Sequence, residues 1–345
     1  MKRIILLIIL SLLLIVLCIL GIKKNNIINL TNLTYNNKDI KKYIDYDTFI
    51  KDYKDNKTPN VYITNFIFDG ENHIDIKSSI LNINRINNIH LEGNFIGGVF
   101  INSNNVNDLN IYLNNINIDT NINKIPGLYI YGKSGKATIN LGLATSNYIK
   151  GGHLKKTDYS GNMFLNLDGV YKAGGTISSD IDITFKGDGI LNIISSKEGI
   201  ESKGSINFLD GDYIIESKED GINAYKDIFI DLESLKINVS DEGDAIDSNS
   251  SLTINKGYIL AKSKGDDAGL DSEDTYINGG TIISLGNAYD KINENSKQEF
   301  SLFELNSNKI ILKDNNDVIL NMDLDTEYKY LIYSDSIKRT LTLVN

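Results

Sequence analysis

Glu198-Gly199-Ile200-Glu201-Ser202, Asp220-Gly221-Ile222-Asn223-Ala224, Asp244-Ala245-Ile246-Asp247-Ser248 and Ala268-Gly269-Leu270-Asp271-Ser272 are four versions of one five-residue phrase. Their central apolar residues, Ile200, Ile222, Ile246 and Leu270, stand 22, 24 and 24 residues apart. Each phrase is followed by a short alternating stretch (205–208, 227–231, 251–255 and 275–278). Most then have a Gly turn, as at Asp210-Gly211, Lys256-Gly257 and Gly279-Gly280, and a second alternating stretch follows (213–216, 235–240, 258–262 and 281–285). A period of this length, with period-two alternation and no helical pattern, predicts a β-solenoid, because one repeat cannot bury its apolar face alone and must stack on its neighbours. The Leu-x-x-Leu-x-Leu pattern of a leucine-rich repeat is missing. Stacking at strand spacing predicts two internal ladders: Ile200, Ile222, Ile246 and Leu270 in one, and Phe208, Ile230, Ile254 and Ile277 in the other.

Outward from this stretch the pattern loosens. Alternating strands are predicted at 109–117, 128–131 and 137–141, with 145–161 as a loop. After Asn287 the repeat stops. Five further strands are predicted as antiparallel, with a hairpin turn at 314–317; they cover the edge that a solenoid end would expose. The expected fold is all-β: a right-handed parallel β-helix over 60–290 with a small antiparallel C-terminal cap over 291–345.

Residues 1–24 are of another kind. Lys2-Arg3 precedes an unbroken apolar run from Ile4 to Ile22, and Lys23-Lys24 closes it. Nineteen helical residues span about 28 Å, close to a bilayer core. No small-x-small cleavage site follows, so the run reads as a signal anchor that keeps the N-terminus inside and the remainder outside. A cleaved signal peptide, or a lipoprotein at Cys18, are the alternatives. Residues 25–59 read as a polar spacer with a short amphipathic stretch and an N-terminal cap. The expected protein is extracellular, membrane-anchored and monomeric.

The chain carries a net charge of −10 and no Trp. That balance excludes nucleic acid, whose phosphates need clustered cations. Cys18 is the single cysteine and lies within the apolar run, so the exported part has no disulfide framework or thiolate site. His73, His90 and His153 are isolated, and no nucleophilic or zinc constellation is visible.

The acids recur with the repeat. Glu198, Asp220 and Asp244 precede the buried residue of each phrase, with Asp266 and Asp267 near the equivalent place. Glu201, Asn223, Asp247 and Asp271 follow it. Stacked coils bring such side chains to about 5 Å from one another, where unpaired carboxylates repel and a hard cation gathers them. Calcium fits this oxygen-only set; zinc would want His or Cys. A solvated acidic edge is the plainer alternative.

Asp220-Gly221-Ile222, Asp244-Ala245-Ile246-Asp247 and Asn278-Gly279-Gly280-Thr281-Ile282 resemble a bacterial β-helical family described as carbohydrate-binding-domain-containing proteins. Upstream, 110–118, Gly127-Leu128-Tyr129-Ile130, 137–141 and 187–191 look like its early coils. The resemblance covers about 60–345. It implies a pectate-lyase-like β-helix that binds calcium and cellulosic or acidic (polygalacturonate-like) polysaccharide, with Asp220, Asp244, Asp247 and Asp271 at the acidic turn positions. Ala245 in place of Gly, and Asn223 and Glu201 in place of Asp, depart from the pattern. Three functions compete. A binding module would use Tyr213, Tyr225 and Tyr258 as sugar platforms and calcium to bridge uronates. A structural spacer solenoid would carry no ligand. A polysaccharide lyase would need a base beside the metal, such as Lys218 or Lys262 with its pKa depressed.

Overall fold

The computed structural model describes residues 28–29, 60–63, 80–84, 87–104, 106–120, 125–155 and 172–344. The apolar run, Cys18, His73, the amphipathic stretch of the spacer and residues 156–171 lie outside them. None of the described residues is helical.

The body is a parallel β-solenoid of about seven turns. Each coil contributes strands to three parallel sheets. The first sheet stacks Gly98–Asn102, Leu128–Tyr131, Gly175–Ser179, Glu198–Ser202 and Ile222–Ala224, then the starts of Ile246–Ser263 and Leu270–Ile277. The second runs through Lys136–Leu141, Ile183–Lys186, Ile206–Phe208 and the start of Ile228–Val239. The third runs through Ser146–Gly151, Ile190–Ser195, Asp212–Ser217 and the end of Ile228–Val239 to Thr281–Gly286.

Both predicted ladders are present in register: Ile200, Ile222, Ile246 and Leu270 in the first sheet, and Phe208, Ile230, Ile254 and Ile277 in the second. All eight side chains are buried, and each contributes on the order of 1.5–3 kcal/mol by leaving water. A third ladder, Tyr213, Leu235, Ile259 and Ile282, completes the core. Phe185 and Phe208 stack at 5.0 Å between ring centroids.

The coil has three strands where the sequence pattern gave two. The five-residue phrase is itself a strand, too short for alternation to show: three residues pair at Ile222–Ala224. The outward residue of each phrase therefore projects from a sheet face and not from a turn. Residues 146–151, expected within a loop, form a strand of the third sheet. Asn147 hides it, because it occupies a core position between Ile116 and Leu191. Burial is tolerated there because its amide accepts the Ile116 N–H at 3.2 Å and donates to the Ile190 carbonyl at 3.2 Å.

The corner between the second and third sheets needs glycine. Gly211 (φ 93°) sits below the Gly187 carbonyl oxygen, which would stand 2.8 Å from any Cβ added there.

At the C-terminal end the five predicted strands are present. Tyr330–Ser334 pairs antiparallel with both Thr281–Gly286 and Phe300–Glu304 and so closes the third sheet. A separate three-stranded sheet, Asp317–Asp323, Lys309–Asp314 and Leu341–Val344, packs Ile310 and Leu312 with Ile283 and Leu285 on the outer side of the third sheet. Ile292 and Ile332 join the solenoid core and plug its last coil.

Candidate functional site

Pairing in the first sheet places Glu201, Asn223, Asp247 and Asp271 in one outward column, each directly opposite the next. Coil register sets these residues side by side, whatever their charge. Beside this column, three positions earlier in each phrase, Asp220 and Asp244 tie coil to coil. Asp220 Oδ1 accepts the Asp244 N–H at 2.9 Å, and Asp244 Oδ1 accepts the Ala268 N–H at 2.7 Å. Asp267 Oδ2 accepts the Gly243 N–H at 2.7 Å. Asn223 Nδ2 donates to Asp220 Oδ2 at 2.9 Å, while its Oδ1 is buried with no hydrogen-bond partner.

The carboxylates are thus held together with no lysine or arginine among the groups that perturb them, and their acidity records the strain. Asp244 is pushed up to about 7, first by burial and then by Asp220, Asp267 and Asp247, against the opposing Ala268 hydrogen bond. Asp247 is also raised to about 7, by burial and then by Asp220, Asp271 and Asp290. Asp271 reaches about 7 through its hydrogen-bond contact with Asp290, then burial and Asp244. Burial raises Asp220 as well. Such a site does one of two things chemically: it takes up protons, or it takes up a cation.

Asp290 is the member that sequence reasoning missed. Ala288 bridges to Ala268, which starts a further, incomplete coil. Ala288-Tyr289-Asp290 repeats the small–apolar–Asp order of Ala245-Ile246-Asp247, but only 19 residues after Asp271, outside the 22–24 spacing.

Other expected site residues fall elsewhere. Glu201 is buried and turned toward the N-terminal coils, where its Oε2 accepts the Gly174 N–H at 2.5 Å and the Ser178 hydroxyl at 3.2 Å. Glu198 lies close to the same glycine. Asp266 is exposed. Tyr213 is a core residue: its ring packs edge-on against Phe185 and Phe208, and its hydroxyl donates to the Asp210 carbonyl at 2.8 Å. It offers no face to a sugar, because position 213 points inward in register with Leu235 and Ile259. Tyr225 (44% exposed) and Tyr258 (36% exposed) do reach solvent, but from the edge of the first sheet and from the third sheet. They do not form a single platform. A different exposed ring, Tyr289, adjoins the acids and packs against Tyr330 at 4.8 Å.

Among the described residues, no three His, Cys, Asp or Glu side chains are already arranged as a ligand set for a metal. The oxygen-only chemistry of the cluster and the orphaned Asn223 Oδ1 still suit a hard cation better than any other ion. No curated protein and no solved structure matches the chain. A family model does, over residues 77–326, a span that takes in the stacked coils, the acidic cluster and much of the terminal cap. The chain belongs to the carbohydrate-binding domain-containing protein family.

Proposed function

We propose that the protein is an exported, membrane-tethered module that binds polysaccharide, acidic chains in particular, through calcium held by Asp220, Asp244, Asp247 and Asp271, with Asn223 and Asp290 completing the set. Family membership supports carbohydrate binding. The observation that carries calcium is a carboxylate cluster whose members are raised toward 7 with no neighbouring cation to relieve them. A divalent ion would replace that mutual repulsion with attraction, and a ligand position left open on it would take a uronate carboxylate.

The function is binding without catalysis. The two lysines considered as a lyase base are placed for other work: Lys262 pairs with Asp325 at 3.3 Å, and Lys218 is exposed beyond the end of its strand. A pull-down of the full-length chain on polygalacturonate, in calcium or in chelator, tests the proposal against an Asp247→Ala/Asp271→Ala variant. Calcium-dependent retention, lost in the variant, is expected. Equal retention in chelator would remove calcium from the account.

A further inference from the structure

The three sheets end differently after the last coil. Residues 287–298 close the first two: Ala288 and Ile292 bridge to Ala268 and Thr275, and the Asn293 and Gln298 N–H groups donate to the Thr275 and Ile277 carbonyls at 2.8 and 3.0 Å. The third sheet runs on through Tyr330–Ser334 to Phe300–Glu304, and among the described residues that last strand pairs on one side only. Its other side presents a row of backbone donors and acceptors. Such edges are commonly blunted by lysine, proline or a bulge. Phe300-Ser301-Leu302-Phe303 carries none of these, and its pairing with Tyr330–Ser334 is unbroken. By contrast Asp317–Asp323, an edge of the terminal cap, is bounded by an aspartate at each end, and its ladder is broken between Leu312 and Lys313. Phe303 packs toward the cap with Ile283 and Leu285. Phe300 and Leu302 face the opposite way, in register with Ser334 and Ile332, and remain 41% and 40% exposed. Ile337 is exposed close by, since the next residue, Lys338, pairs with Glu299.

We propose that Phe300–Glu304 is a self-association edge, on which a second copy of this chain pairs antiparallel about a two-fold axis and joins two solenoids end to end. The edge is complementary to itself. Opposed side chains of an antiparallel pair share a face, so a two-fold pairing sets each residue against one of the same parity. With Ser301 on the axis, Phe300 stands opposite the second copy's Leu302, Glu299 opposite its Phe303, and Gln298 opposite its Glu304. The apolar residues of the open face then meet one another, and no two carboxylates are opposed. Other registers lose this match. With Phe300 on the axis Leu302 faces Gln298, and with Leu302 on the axis Phe300 faces Glu304. The pairing uses each edge once, so it closes as a dimer and does not propagate into a fibre. A ladder this short buries less than a permanent dimer needs, which makes the association reversible; the monomer expected from the sequence is its dilute form. The axis also reverses the direction of stacking, so the first coils of the two copies point away from each other.

The test is disulfide trapping in the full-length chain carrying Cys18→Ser, which removes the only native thiol. Ser301→Cys places a thiol on the axis, opposite its own copy at a Cβ separation of about 4.5–5.5 Å, near what a disulfide spans. Glu304→Cys would stand six residues, about 20 Å, from its own copy and is the control. Mild oxidation is expected to cross-link Ser301→Cys in a yield that rises with protein concentration, and to leave Glu304→Cys monomeric. Adding Leu302→Lys or Phe300→Lys, each at an exposed side chain, is expected to cut the Ser301→Cys yield at least tenfold while melting stays that of the parent chain. No dimer from Ser301→Cys, equal yields from the two thiols, or a yield indifferent to both lysines would overturn the edge.

Discussion

Asp220 Oδ1 accepts the backbone N–H of Asp244, one coil further along, at 2.9 Å. Asp244 passes the arrangement on by accepting the Ala268 N–H at 2.7 Å. These carboxylates are therefore fastened to the frame that stacks the coils, and they cannot swing apart to lower their repulsion.

Stability should depend on pH in an unusual direction. An Asp in the unfolded chain titrates near 3.9, whereas Asp244, Asp247 and Asp271 are raised to about 7 in the fold. Between these values the folded state holds protons that the unfolded state has released, so stability falls as pH rises. In chelator, the melting temperature should drop by several degrees from pH 4.5 to pH 7.5. Calcium should restore it at the upper end. Scanning calorimetry at four pH values checks this; a melting temperature that climbs across the same interval in chelator would refute the cluster's electrostatics.

Asp247→Asn separates repulsion from ligation. The side chain keeps its shape and loses its charge, so at pH 7.5 without calcium the variant should melt a few degrees above wild type. Added calcium should then stabilise it less than wild type, for which a hundredfold excess over the dissociation constant is worth about 2.7 kcal/mol at one site. A variant less stable than wild type in chelator would show that Asp247 makes a structural contact beyond those described.

Tyr213→Phe tests the assignment of that ring to the core. The hydrogen bond to the Asp210 carbonyl is lost and the packing against Phe185 and Phe208 remains. A cost of about 1 kcal/mol is expected in denaturant unfolding, with glycan retention on polygalacturonate unchanged. Loss of retention with stability intact would return Tyr213 to the binding surface.

The ladders were legible because an apolar residue of each strand recurs at intervals of 22–24. The third strand of the coil was not, since its outward residue is Asn or Asp, types that seldom signal a strand. Parity misled at Tyr213. Its neighbours Ile214 and Ile215 are also apolar, so alternation alone left its face open, while alignment with Leu235 and Ile259 would have turned it inward. The column of Asn223, Asp247 and Asp271 followed directly from repeat register. Asp290 did not, because the incomplete coil that brings it in is shortened. Glu201 kept its place in the column but belongs to different surroundings, where Gly174 and Ser178 satisfy it.

Because each coil repeats the same three-sheet section, the acidic cluster near the last full coil sits at a distance from the first coil that is a whole number of strand spacings. Duplication of one unit, for instance the stretch from Gly199 to Asp220, would carry the cluster about 4.8 Å further along the axis and leave its internal geometry untouched. Deletion of one unit would draw it back by the same step. Reach and recognition are therefore separable properties in this architecture, and the length of the body can drift in evolution by quanta while the chemistry at its far end stays the same.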